Sequence, residues 1–283
     1  MTRTVGLDQV QLHSAELGRI IERNLRAGID LSAEREIDEI FLTLLDSLPL
    51  GRPFTFRQQH GGALVQPVRP ARDHEAEVSS RGRVELDLHT DDVFLEPSLR
   101  PQYIALLGIH NPERIPTYVV RLEDVVRRLE PPTLEVLSQP LFSFSCPPSF
   151  DVDSRGDLRT DARPILRQGD DGGCEVGLPA STTEVVEPAD SEAEEHLQRL
   201  KSAIADAPRT ECALGPGEVL VFSNSRCLHG RPSVDSTERW LKRVYLRDDL
   251  ATLETAAATG SVSVYDAVRA FRFGQSEGRA RAS

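Results

Sequence analysis

In the stretch VELDLHTDD, Val84, Leu86 and Leu88 alternate with Glu85, Asp87, His89 and Asp91. An extended chain therefore places His89 and Asp91 on one face, where both could reach a single divalent ion. Alone, the pair is a weak signal. Seven histidines and 45 acidic residues in 283 make about one His-x-acid triplet by chance (7 × 45/283), and the chain holds one, so the pair needs a third ligand. The apolar run EVLVFSNSRCLHG, read as one strand ending on His229, supplies a candidate. Two histidines and a carboxylate on one side of a metal leave its other positions open. A bidentate co-substrate and O2 could bind there, which is the ligand set of non-haem iron(II) chemistry.

The run ERWLKRVYL follows. Here Arg239, Leu241 and Arg243 point to one side of a strand, and Trp240, Lys242 and Val244 to the other. An arginine facing inward requires an anionic partner, and a dicarboxylate suits its planar fork. Two surface arginines on an exposed strand face are the alternative for this pair taken without His229.

These residues must be positioned by a mixed scaffold. The first fifty residues read as helical, with Ile37, Ile40, Phe41, Leu44, Leu45 and Leu48 at helical spacing before Pro49 and Gly51. From Phe54 the pattern shortens to the strand candidates ALVQPVRP, RVELDLHTDDVF, YIALLGIHN and PTYVVRL. RLEDVVRRLEPPTLEVLSQP reads as one or two short helices broken at Pro131–Pro132, and SEAEEHLQRLKSAIAD as an amphipathic helix. VSVYDAVRAFRFG reads as a closing helix. Residues 146–190 are rich in Pro, Asp, Gly and Ser around one strand candidate, ARPILRQ, and could form a lid. The order of elements predicts an α+β protein, a single domain over residues 1–283, whose sheets close as a sandwich or barrel.

The residues GPGEVLVFSNSRCLHGRPS…ERWLKRVYLRDD, with His89-x-Asp91 upstream, resemble the iron(II)/2-oxoglutarate-dependent dioxygenases. They are most similar to the clavaminate synthase-like branch of the taurine dioxygenase superfamily, which contains hydroxylases of free amino acids. The likeness runs from about Phe54 to Asp249 and is thin between Cys146 and Asp190. It implies a double-stranded β-helix (jelly roll) core with flanking helices. It also implies iron(II) held by His89, Asp91 and His229, with 2-oxoglutarate as co-substrate and O2 as oxidant. Arg239 would grip the distal carboxylate of 2-oxoglutarate with Thr117, which could instead have a packing role. Arg243 would lie near the proximal end of the co-substrate or the substrate carboxylate. For the amino-acid substrate, the branch's amine-binding glutamine matches either Gln58 or Gln59. Asp87 and Glu175 are candidates for a cationic group, and Glu85 shares the face of Asp87. Two departures stand out: Asp91 where many members use Glu, and a ten-residue gap from His229 to Arg239 that is shorter than in the branch. A retained carboxylate ligand argues against halogenation.

The net charge of −12 argues against a nucleic-acid footprint, and no run is long and apolar enough for a membrane span. Four scattered cysteines, at neither zinc-ribbon nor redox spacing, read as reduced thiols of a cytoplasmic protein. Cys227 reads as a small buried hydrophobe, His13 and His196 as surface residues on helices. His60, His74 and His110 are assigned no chemistry. Two rival readings use the same three ligands: a metal- or metabolite-binding module without turnover, and a zinc hydrolase.

Overall fold

The structure is a computed structural model describing residues 8–71, 76, 79, 82–147, 150, 159–179, 183–186, 191–235 and 237–282. Its first elements are β1 (Gln9–His13), α1 (Ala15–Ala27), α2 (Leu31–Asp46), β2 (Arg52–Phe56), β3 (Gln66–Val68), β4 (Leu86–His89), β5 (Tyr103–His110) and β6 (Thr117–Arg121). There follow α3 (Leu122–Val126), α4 (Pro131–Leu137), β7 (Phe142–Phe144), β8 (Leu166–Gln168), β9 (Cys174–Val176), β10 (Thr183–Val185) and α5 (Ser191–Asp206). The chain ends with β11 (Arg209–Cys212), β12 (Glu218–Ser223), β13 (Cys227–Arg231), β14 (Trp240–Arg247), α6 (Ala251–Ala257), β15 (Val264–Tyr265) and α7 (Ala267–Ala282).

Two sheets carry the architecture. The larger has seven strands along the path β1-β12-β5-β14-β2-β15, with β3 also pairing β14; the smaller is β11-β6-β13-β4. Alternation along each strand sorts side chains to opposite faces. On the large sheet, Ala105, Leu107, Val219, Val221, Val244 and Leu246 pack against Leu17, Ile21, Ile37 and Phe41 of α1 and α2. Ile104, Leu106, Leu220, Phe222, Leu241 and Tyr245 face the other way. They meet Val119 and Cys227 of the small sheet in a central core that α6 and α7 close off. Val120 and Leu228 on the small sheet's far side pack against α3, α4 and α5. The protein is thus an α+β molecule in which helices cover the outer faces of two facing sheets.

Helix starts follow local chemistry. The Ser14 and Asp30 side chains accept hydrogen bonds from the backbone N–H of Leu17 and Ala33, capping α1 and α2. The proline pair opens α4, where a missing N–H costs nothing.

Several expectations need correction. The N-terminal fifty residues are not wholly helical, because Gln9–His13 pairs antiparallel with β12; His13 therefore lies on a strand. The EVLVFSNSRCLHG run is two strands separated by a turn, and His229 sits in the middle of the second. His196 is buried, not on the surface, with its Nδ1 2.9 Å from the Thr133 hydroxyl. Much of the 146–190 stretch lies outside the described residues, including 151–158, as does His74.

Candidate metal centre and co-substrate pocket

Strands β4 and β13 are neighbours in the small sheet, and their register sets His89 directly opposite His229. A cross-strand pair of this kind brings side chains into contact, and the two imidazole rings lie 4.2 Å apart. Gly230 makes the pairing possible: a Cβ there would lie 2.5 Å from the Leu86 carbonyl oxygen, so any larger residue would push β4 away. Asp91 follows two residues after His89, beyond the strand end. Its Oδ1 lies 3.2 Å from His89 Nε2 and 3.6 Å from His229 Nε2.

Among the described residues, His89, Asp91 and His229 form the single cluster able to hold a metal, with ligand atoms within 4.8 Å of one another. Donors about 2.1 Å from a common octahedral ion lie about 3 Å apart when adjacent, so this spacing suits one ion. The orientation of each donor is prepared. His89 Nδ1 lies 2.8 Å from the Asp87 carbonyl, which accepts its proton and leaves Nε2 with a free lone pair. Burial and the nearby His89 charge push His229 down to about 3, so its imidazole is neutral at ordinary pH.

Asp91 divides its two oxygens between tasks. Oδ1 faces the histidines, while Oδ2 accepts hydrogen bonds from Arg243 Nη1 at 2.8 Å and the Tyr245 hydroxyl at 2.7 Å. Burial opposes its ionisation, yet Arg243 and the hydrogen bond to His89 hold its carboxyl far below the usual range. The backbone is fixed too. Asn224, in the turn between β12 and β13, accepts from the Asp91 N–H at 2.8 Å and donates to the Asp91 carbonyl at 3.0 Å. Arg100 and Arg163 donate to carbonyls of Val93, Phe94 and Leu95, anchoring the turn that follows.

Immediately before β14, Arg239 is 4% exposed, and among the described residues no carboxylate pairs with it. Its Nη2 donates to the Thr117 hydroxyl at 3.1 Å, and its Nε has no partner. Burial and the charge of Arg231 pull its pKa down to about 9. A buried cation in this condition lacks the counter-charge that burial ordinarily requires. The donor set at the metal cluster and this open guanidinium fit iron(II) and a dicarboxylate.

Arg243 lies within β14. Its Nε and Nη2 donate to Gln66 Oε1, and Gln66 Nε2 donates to Gln59 Oε1 at 3.3 Å. Gln59 Nε2 in turn donates to Asp92 Oδ1 at 3.3 Å. A polar chain thus runs from Asp91 through Arg243, Gln66 and Gln59 to Asp92. Between the two candidate glutamines, the structure brings Gln59 into this chain. Gln58 instead donates to Asp266 and accepts from the Ala267 N–H, tying down the start of α7.

Two further candidates stay outside. Glu175 is paired with Arg167 across the β8–β9 hairpin, which occupies its charge. The Asp87 side chain is exposed, and its contribution is the carbonyl that orients His89. Cys227 is fully buried as expected, and burial pushes its thiol up to about 12. Sequence reasoning missed Tyr245, Gln66, Asn224 and Asp92. Tyr245 had a signal, since the two-residue period through Arg239 and Arg243 reaches it. The other three are short polar residues whose partners are distant in sequence.

A buried cluster of two histidines and a carboxylate on the small sheet, with a buried arginine that no carboxylate among the described residues pairs, has the make-up of a candidate mononuclear metal site. Residues 25–245 match the family described as Taurine catabolism dioxygenase TauD, TfdA family, and the chain belongs to it. The chain is 32% identical over 216 residues to the L-asparagine oxygenase of Streptomyces coelicolor, covering 73% of this chain and 61% of that protein. The crystal structure of asparagine oxygenase with Fe(II), 2S,3S-3-hydroxyasparagine and succinate superposes with a TM-score of 0.68 at 27% identity, covering 77% of this chain and 66% of that one. The non-heme iron oxygenase OrfP in complex with Fe and alpha-ketoglutaric acid superposes with a TM-score of 0.66 at 28% identity, covering 82% and 70%. The chain spans about three fifths of the length of the first curated relatives it matches.

Proposed function

We propose that this protein is an iron(II)- and 2-oxoglutarate-dependent hydroxylase of an amino acid or amino-acid-derived metabolite, serving specialised metabolite biosynthesis. The observation that carries the reading is Arg239, buried with no counter-charge among the described residues, in a chain that also gathers His89, Asp91 and His229. Neither a sensing module nor a zinc hydrolase needs a dicarboxylate clamp there. The two facing sheets form a distorted jelly roll, the whole chain acts as one domain, and the four free thiols suit a reducing, cytoplasmic compartment.

In this reading His89, Asp91 and His229 hold iron(II), which with 2-oxoglutarate and O2 supplies C–H hydroxylation and releases succinate and carbon dioxide. The chain's own groups position the reactants. Arg239 and the Thr117 hydroxyl bind the distal carboxylate of 2-oxoglutarate. Arg243 has one unused N–H on each terminal nitrogen after its bonds to Asp91 and Gln66, and these receive the substrate carboxylate. Gln59 faces the amine. Phe222, its ring 4.8 Å from that of His229, and the Phe94–Phe150 pair keep water from the reacting centre.

Succinate release, screened across free amino acids with basic and amide side chains included, tests the proposal. At least one should raise succinate above the substrate-free level, with a hydroxylated product by mass. Absence of any stimulation across the screen would overturn the free-amino-acid reading.

A further inference from the structure

Thr90 stands between two members of the metal cluster, His89 and Asp91, and the reading above gives it no task. It is buried just past the end of β4, where the ladder to β13 has stopped. Its bonds go elsewhere. The Thr90 N–H donates to the Leu178 carbonyl at 2.7 Å, and the Leu178 N–H donates to the Thr90 hydroxyl oxygen at 3.1 Å. The hydroxyl also donates to that same carbonyl, at 3.4 Å. One side chain thus takes the place of a strand neighbour's carbonyl and closes a two-way bridge between segments 88 residues apart.

Leu178 lies two residues beyond β9, and the β8–β9 hairpin is fastened at two further points, both on the turn between β12 and β13. The Val176 N–H donates to the Ser225 carbonyl at 2.8 Å, and Asp171 in the hairpin loop pairs with Arg226. Ser225 and Arg226 directly follow Asn224, whose side chain brackets the backbone of Asp91. Gly177 lets the hairpin come this close, since a Cβ there would lie 2.6 Å from Arg100 Nη1 and 3.3 Å from Val93 Cγ1. The hairpin therefore meets the ligand segment directly through Thr90 and indirectly through Asn224. Thr90 is also the one residue that links His89 to Asp91 along the chain, so a shift of Leu178 is passed to both ligands. We propose that Thr90 is a positioning residue that couples metal binding at His89, Asp91 and His229 to the order of the β8–β9 hairpin, each stabilising the other. The proposal rests on the metal-binding part of the reading above and requires no particular substrate.

The test uses the full chain and anaerobic Fe(II) alone, with metal uptake followed by calorimetric titration and backbone order by amide hydrogen exchange. In the wild-type protein, Fe(II) should slow exchange of the Val176 and Leu178 amides about tenfold, as for two sites that share a coupling free energy. Thr90→Val keeps the shape and removes the hydroxyl. It should bind Fe(II) about tenfold more weakly, the loss usual when a support of a metal ligand is removed, and Fe(II) should no longer protect Leu178. Thr90→Ser, which keeps the hydroxyl, should recover both responses. A residue that served stability alone would alter exchange in the metal-free protein while Fe(II) affinity and Fe(II)-dependent protection stayed as in the wild type; that outcome in Thr90→Val overturns the proposal. So does wild-type protein that takes up Fe(II) with exchange across 174–178 unaltered, a result that needs no variant to fold. Failure of the wild-type protein to take up Fe(II) at all would instead overturn the metal-centre reading, so the two failures are distinguishable.

Discussion

Lys242 on strand β14 and Arg239 just before it are both buried cations, and the two are treated in opposite ways. On the outer face Lys242 is 1% exposed and is met by two carboxylates of α2, Glu34 at 2.8 Å and Asp38 at 2.6 Å. Arg239 is equally enclosed, yet its hydrogen bond goes to a neutral hydroxyl. Lys242 is closed within the protein and fastens the helical layer to the sheet. Arg239 is left without a counter-charge among the described residues. On the function proposed above, the difference separates a cation that serves stability from one that serves a ligand, and burial alone would not have told them apart.

That contrast can be broken in order of effect. Arg239→Met should lower 2-oxoglutarate affinity by about 10²–10³, equivalent to removing one partner of a buried charge pair, while the melting temperature of the ligand-free protein stays level or rises. Calorimetric titration and thermal unfolding read the two outcomes, and a fall in both would place Arg239 among the structural residues. Lys242→Met should do the reverse. It strands two carboxylates that keep contact with water, costing about 2 kcal/mol in urea unfolding, with 2-oxoglutarate affinity unaltered.

Smaller effects probe the metal side. Tyr245→Phe removes one of two donors that turn Asp91 Oδ1 toward the histidines, and iron(II) affinity should drop about tenfold. The change per pH unit is smaller still. His229 is held near 3 in the folded, metal-free protein but returns to about 6.5 when unfolded, so between those values the unfolded chain binds more protons. Stability should therefore fall as pH drops below about 6.5, with His229 contributing at most about 1.4 kcal/mol per unit. His229→Gln should lose that contribution, and identical slopes in the two proteins would refute it.

The ligands and the arginine were legible because strand alternation and a short motif are local. His89-x-Asp91, the Arg239–Arg243 period and the helices at α2 and α5 all rest on neighbouring residues, and the resemblance supplied Thr117. What was illegible depended on long-range closure. The choice between Gln58 and Gln59 turned on Asp266 and Asp92, which are far away in sequence. Glu175 was drawn to Arg167 by a hairpin of which only the first strand, within ARPILRQ, was legible. The break after Ser223 was hidden because Cys227 and Leu228 extend the apolar pattern across the turn. β1 escaped notice since its pairing partner, β12, lies about 200 residues downstream.

The most direct measurement is anaerobic titration of Fe(II) and 2-oxoglutarate into the wild-type protein, Arg239→Gln and His229→Ala, read by visible absorption. The account predicts a broad charge-transfer band in the wild type, one needing far more 2-oxoglutarate in Arg239→Gln, and none in His229→Ala. A band that never appears in the wild type, or one that Arg239→Gln leaves unchanged, would contradict it.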